Sequence, residues 1–161
     1  MRLLILTIAT LASLTGACIS QKPEAMQANR LSLTYNSSTL RINIEGSALL
    51  VTRIEQEFAN PVSAIPSGTK ATTMQGLLTP EQLGRLTRTI QNNGFMKLSA
   101  AYGAPEGQRF YPYRIEACIN GETKQVLYRS NPAYESAPNA FSEVEKLLID
   151  LTAAARNPVS R

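Results

Sequence analysis

The sequence predicts an α+β fold: an antiparallel β-sheet of about four to six strands with two helices packed on one face, a two-layer sandwich. Three observations predict it. Runs of alternating apolar and polar residues mark half-buried strands. The stretches "LTPEQLGRL" and "NAFSEVEKLLIDL" place apolar residues at helical spacing. The order is strands, helix, hairpin, helix, which segregates helices from hairpins.

Each element has a local reason. Leu31 to Tyr35 and Thr39 to Glu45 are β-rich runs separated by "NSS", a turn composition. In the second, Leu40, Ile42 and Ile44 alternate with Arg41, Asn43 and Glu45. "EGSA" then turns into a strand from Leu49 to Phe58. A two-residue loop would set Leu49 and Val51 opposite Ile44 and Ile42 but send Ile54 and Phe58 outward. A three-residue loop containing Gly46, with a bulge, keeps Leu50, Thr52 and Ile54 on the matching face, and this is the expected turn. Residues 59 to 70 read as a loop with two prolines, and a further strand runs from about Ala71 to Leu77.

Thr79, Pro80 and Gln82 supply an N-cap, a first-turn proline and the return partner of a capping box, so a helix starts here. Leu83, Leu86 and Ile90 form its apolar stripe, and Gly94 stands where a C-terminal cap wants positive φ. Phe95 and Leu98 fold back onto it, and "AYGAPEGQ" reads as a flexible loop. Tyr113, Ile115, Ala117 and Ile119 then alternate up to Asn120-Gly121, the dipeptide of a type I′ hairpin, and Val126 and Tyr128 return on the same face. That register places Cys118 opposite Thr123 on the polar side. A final helix from about Pro138 to Ala154 buries Phe141, Val144, Leu148 and Leu151.

Ahead of this body, "MRLLILTIATLASLTGAC" has one arginine, then an uncharged run too short to span a bilayer at roughly 20 residues per span. Small residues crowd its exit. This is the pattern of a secretory leader. Leu14-Thr15-Gly16-Ala17-Cys18 resembles the lipobox of bacterial lipoproteins, with Thr15 where leucine is commonest. The resemblance implies diacylglycerol attachment to the Cys18 sulfur and cleavage before it. Thr15 and Ala17 also suit ordinary signal peptidase, and in an oxidising compartment Cys18 could instead pair with Cys118. The expected organisation is a signal peptide over 1–17, a lipidated cysteine and tether over 18–30, one α+β domain over 31–155, and a tail over 156–161. Two or three acyl chains at about 0.8 kcal/mol per buried methylene anchor a protein stably where one is marginal. The expected location is the extracytoplasmic side of a bacterial cell membrane or outer membrane, or else secreted or periplasmic.

The 16 basic residues against 12 acidic ones, one fewer basic once Arg2 leaves with the leader, are scattered along the chain. Nucleic-acid binding would want them gathered on one face, so none is expected. With no histidine, Ser-His-Asp and Cys-His catalysis and ordinary zinc sites are excluded. No glycine pattern suits a nucleotide, and no small-molecule cofactor or metal is expected. Glu55 and Glu57 share one strand face but read as solvated charges, and Glu143, Glu145 and Lys146 read as ordinary charges on the solvent face of the last helix. Cys118 lacks a base to activate it and reads as a small strand residue.

The remaining cluster is "FYPYR" with Tyr102 upstream. Tyr113 and Tyr128 are expected in the core, whereas Phe110, Tyr111 and Tyr102 form a candidate partner-binding surface, because tyrosine and arginine anchor protein interfaces. The chain therefore reads as a non-catalytic, membrane-tethered module that binds another protein or a membrane complex. The succession "GLLTPEQLGRL", "NNGFMKLSAAY", a strand hairpin and "NPAYESAPNAFSEVEKLLIDL" resembles the emfourin-like inhibitors of thermolysin-type metallopeptidases. That resemblance implies the α+β fold and offers metallopeptidase inhibition as the alternative function. No inhibitory residue is carried over from it.

Overall fold

The computed structural model describes residues 31–60, 62 and 64–156. The expected leader, Cys18 and tether lie outside these residues. Seven strands form one sheet in the spatial order β4-β3-β2-β1-β6-β7-β5: β1 (Leu31–Asn36), β2 (Leu40–Glu45), β3 (Ala48–Phe58), β4 (Pro66–Leu77), β5 (Ala101–Gly103), β6 (Tyr111–Ile119) and β7 (Glu122–Ser130). The helices α1 (Pro80–Asn92) and α2 (Asn139–Arg156) complete an α+β fold. All neighbouring strands run antiparallel except β5, which lies parallel to β7. The sheet is thus larger than the four to six strands the sequence suggests, and mixed rather than purely antiparallel.

One face of the sheet carries the core. Leu31, Leu33 and Tyr35 of β1, Ile42 and Ile44 of β2, Leu49 and Val51 of β3, and Ile115, Ala117, Ile119 and Val126 of β6 and β7 are all buried in one cluster. The helices close it with Leu86, Ile90, Phe141, Val144, Leu148 and Leu151, the stripes read from the sequence. Phe95, in a single 3-10 turn after α1, is fully buried beneath Gly94, whose φ of 86° redirects the chain. The opposite face is mostly polar: Ser32 donates to Glu45 at 2.9 Å, and the Thr52 and Thr73 hydroxyls pair at 3.2 Å.

The capping box at α1 forms as expected: the Thr79 hydroxyl accepts from Gln82 N, and Thr79 N donates to the Gln82 side chain at 2.8 Å. The type I′ turn also forms, with Asn120 and Gly121 at φ 53° and 87°, and Cys118 stands opposite Thr123.

Four local expectations need correction. The β2–β3 turn has two residues, not three: Glu45 pairs with Ala48, Ile44 with Leu49 and Ile42 with Val51. Gly46, at φ 59°, occupies the first turn position, as a type II′ turn requires. Burial of Leu49 and Val51 selects this register. Ile54 falls on the polar face with Leu50 and Thr52, and Phe58 lies past Arg53, where pairing with β2 ends. Second, β4 begins at Pro66, inside the expected loop. Third, residues 101–103 of the expected flexible loop form β5, and the residues after it are pinned by Arg129, which bonds the Ala104 carbonyl at 3.5 Å and pairs with Glu106 at 3.4 Å. Fourth, Glu145 is no idle solvent charge: it accepts the Tyr35 hydroxyl at 2.7 Å.

A candidate protein-binding cleft

β2 pairs with β3 only as far as Arg53, and the last tie on that side is Ile54 N donating to the Thr39 carbonyl at 2.9 Å. Past this point β3 and β4 continue alone as a two-stranded arm, pairing Ile54 with Ala71, Glu55 with Lys70 and Glu57 with Gly68, with an irregularity at Glu57/Phe58. The arm is exposed along almost its whole length. At its outer end Phe58 is 46% exposed, Val62 93% and Ile65 78%. A two-stranded ribbon with no third strand is marginal by itself, so a continuous arm of this length is held by its root in the sheet.

Beneath the root of the arm lies a cleft of about 760 Å³. Its walls come from the β1–β2 turn at Ser38 and Thr39, Arg53 at the root of the arm, the arm residues Ile54, Glu55, Gln56, Phe58 and Thr69, Tyr111 at the start of β6, and Ile149 and Thr152 near the end of α2. Phe58, Tyr111 and Ile149 are exposed at 46%, 58% and 45%, and these three come from elements far apart in the chain. Thr152 is buried on the floor, its hydroxyl donating to the Ile149 carbonyl at 2.8 Å. Arg53 projects from the core-face side of β3, and its Nε is buried without a hydrogen-bond partner among the described residues. A buried guanidinium nitrogen left unpaired is costly.

The three residues singled out from the sequence separate. Tyr111 lines the cleft. Phe110 packs under the Arg129 guanidinium, 5.8 Å from its ring centre, and so helps fasten the 104–110 segment. Tyr102 lies opposite Tyr128 across β5 and β7, packs on the core, and accepts the Ser99 amide at 2.8 Å. Tyr113 and Tyr128 are partly buried against the core, their rings 6.2 Å apart, as expected. Sequence reasoning missed Phe58, Ile149 and Arg53. The signal available for Ile149 was its position off the Phe141-Val144-Leu148-Leu151 stripe, an apolar residue on a helix face with no core to meet.

For reaction chemistry the surroundings offer little. Among the described residues no group of three His, Cys, Asp or Glu side chains could hold a metal ion. Glu55 and Glu57 are exposed on the arm. Tyr35 is the strongly perturbed group: burial, then its bond to Glu145, push its hydroxyl well above the usual tyrosine range. It faces the core, away from any opening, and its bond ties β1 to α2. Among the described residues no helix is long and apolar enough to cross a membrane. No protein-family model matches the chain, and comparison with curated proteins finds no match.

Proposed function

We propose that the chain is a non-catalytic binding module, tethered to the extracytoplasmic side of a bacterial membrane through acylated Cys18, and that it docks a segment of another protein in the cleft under the β3–β4 arm. The observation that carries the docking reading is the convergence of Phe58, Tyr111 and Ile149, exposed apolar side chains from three separate elements, on one cleft beside the unpaired Arg53 Nε. Clustered aromatic and arginine anchors around a concavity are the composition of an interface centre. The tether reading rests on the lipobox-like LTGAC stretch.

A photo-crosslinking residue at position 111, with one at Tyr134 as a second exposed tyrosine away from the cleft, tests the docking site in membranes of the native host. A reproducible adduct at 111, absent at 134 and lost with Ile149→Asp, is expected. Equal labelling at both positions, or none at 111, refutes it. The Cys18 tether is tested by intact-mass spectrometry of material from the native host: a diacylglyceryl-modified cysteine is expected, and an unmodified thiol or a bridge to Cys118 overturns it. A projecting arm is also a shape that can enter an enzyme cleft, which favours the metallopeptidase-inhibitor reading as the second one. Inhibition of a thermolysin-type enzyme at micromolar protein, lost when Val62 and Ile65 are changed to Asp, would support that reading over the first.

A further inference from the structure

The two edges of the sheet are built differently. β5 closes one side with three residues. β4 leaves the other side open over twelve residues; its proline, Pro66, and the irregularity at Glu57/Phe58 lie at the far end, so the run from Thr69 to Leu77 has neither and carries one charge, where natural sheets commonly protect an edge. Leu78 N donates to the Ser47 carbonyl at 2.8 Å, in line with the β3–β4 register. Bonding pairs alternate along an antiparallel ladder, so the amides and carbonyls of Gly76, Met74, Thr72 and Lys70 face β3. Those of Leu77, Gln75, Thr73, Ala71 and Thr69 face outward.

We propose that this edge pairs with the same edge of a second copy, antiparallel, about a two-fold axis at Thr73. The edge meets the cleft at Thr69, which also lines it, and the pairing needs no occupant in the cleft. The outward set is self-complementary about that axis: Thr73 meets Thr73, Ala71 meets Gln75, and Thr69 meets Leu77 of the second copy, so every outward group from Thr69 to Leu77 has a partner. Lys70 is the only charged side chain in β4. It already stands opposite Glu55 within its own chain and would face Gly76 of the second copy, so no like charges oppose each other. The pairing also gives each arm the third strand it lacks, because residues 69–71 lie on the arm and would sit beside residues 75–77 of the other body. Finally, Leu77, 79% exposed, walls a hollow of about 480 Å³ with Leu50 and Gln75 on the polar face. Thr69 and Ala71 of the second copy would border its outer side. An unrelated extended peptide could use the same edge, but it would not reproduce this symmetry.

Sedimentation velocity on the purified full chain across a hundredfold concentration series reads the assembly directly. A reversible dimer is expected. Thr73→Pro removes an outward amide and the Thr52–Thr73 hydroxyl pair but leaves the β3–β4 backbone bonds intact, so it is expected to yield a monomer with an unchanged far-UV circular dichroism spectrum. If that variant misfolds, Thr73→Lys serves instead, placing like charges across the axis, and its dimer is expected to weaken at low salt and partly recover at high salt. Bonded antiparallel neighbours lie about 5.5 Å apart at Cα, within disulfide reach. In a background with the native cysteines replaced by Ser, Thr73→Cys is therefore expected to crosslink on oxidation and Gln75→Cys is not. A chain that stays monomeric throughout, a dimer indifferent to both Thr73 variants, or equal crosslinking at 73 and 75 overturns the proposal.

Discussion

Removing one hydroxyl at Tyr35 tests the bond between sheet and helix. Tyr35 is 2% exposed, and its hydroxyl donates to Glu145 at 2.7 Å. Tyr35→Phe keeps the ring in the core and deletes only that donor. Hydrogen bonds to charged groups contribute about 1.5–3 kcal/mol. Glu145 is only partly buried and regains water when its donor is lost, so the lower end applies, about 1–2 kcal/mol at neutral pH. The pH dependence makes the test specific. Burial, then the Glu145 bond, raise the Tyr35 ionisation in the folded chain above its usual value of 10.0, with the negative charge of Glu145 adding to it. Below pH 10 both folded and unfolded chains keep the proton, and the full contribution is present. Above it the unfolded chain releases a proton that the folded chain retains, so stability falls by about 1.4 kcal/mol per pH unit from this group. Tyr35→Phe lacks that loss. Urea unfolding of both proteins from pH 7 to pH 11 should therefore show a wild-type advantage that disappears about a unit above pH 10. A difference that is constant with pH, or below about 0.3 kcal/mol at pH 7, would refute the reasoning.

Two further outcomes are expected. Gly103→Ala should be destabilising by more than about 1 kcal/mol, because φ there is 85° and an added Cβ would collide with the Arg129 carbonyl oxygen; hydrogen exchange should show faster opening at Ala104 and Leu127, whose amides bond across β5 and β7. Thr79→Ala should lower stability by about 1 kcal/mol in thermal unfolding by removing the α1 cap, with the crosslink at position 111 unaffected.

What the sequence by itself determined is local. A capping box, a type I′ dipeptide and the apolar stripes of both helices depend on residues within one turn or one ladder of each other, so Thr79, Asn120-Gly121 and Phe141 to Leu151 all read correctly. The β2–β3 turn did not, because both loop lengths satisfy the alternation. The choice rests on which alternate residues of β3 the core takes in, and it takes Leu49 and Val51 while Leu50 and Phe58 stay exposed. β5 escaped for a similar reason: three residues carry no period, and only the distant β7 gives Ala101 to Gly103 strand partners. Of the candidate site, Tyr111 was legible as an exposed aromatic beside a loop. Its meeting with Phe58, Ile149 and Arg53 was decided only in three dimensions, because those residues belong to strands and a helix whose separate patterns say which side chains lack a core but not which of them become neighbours.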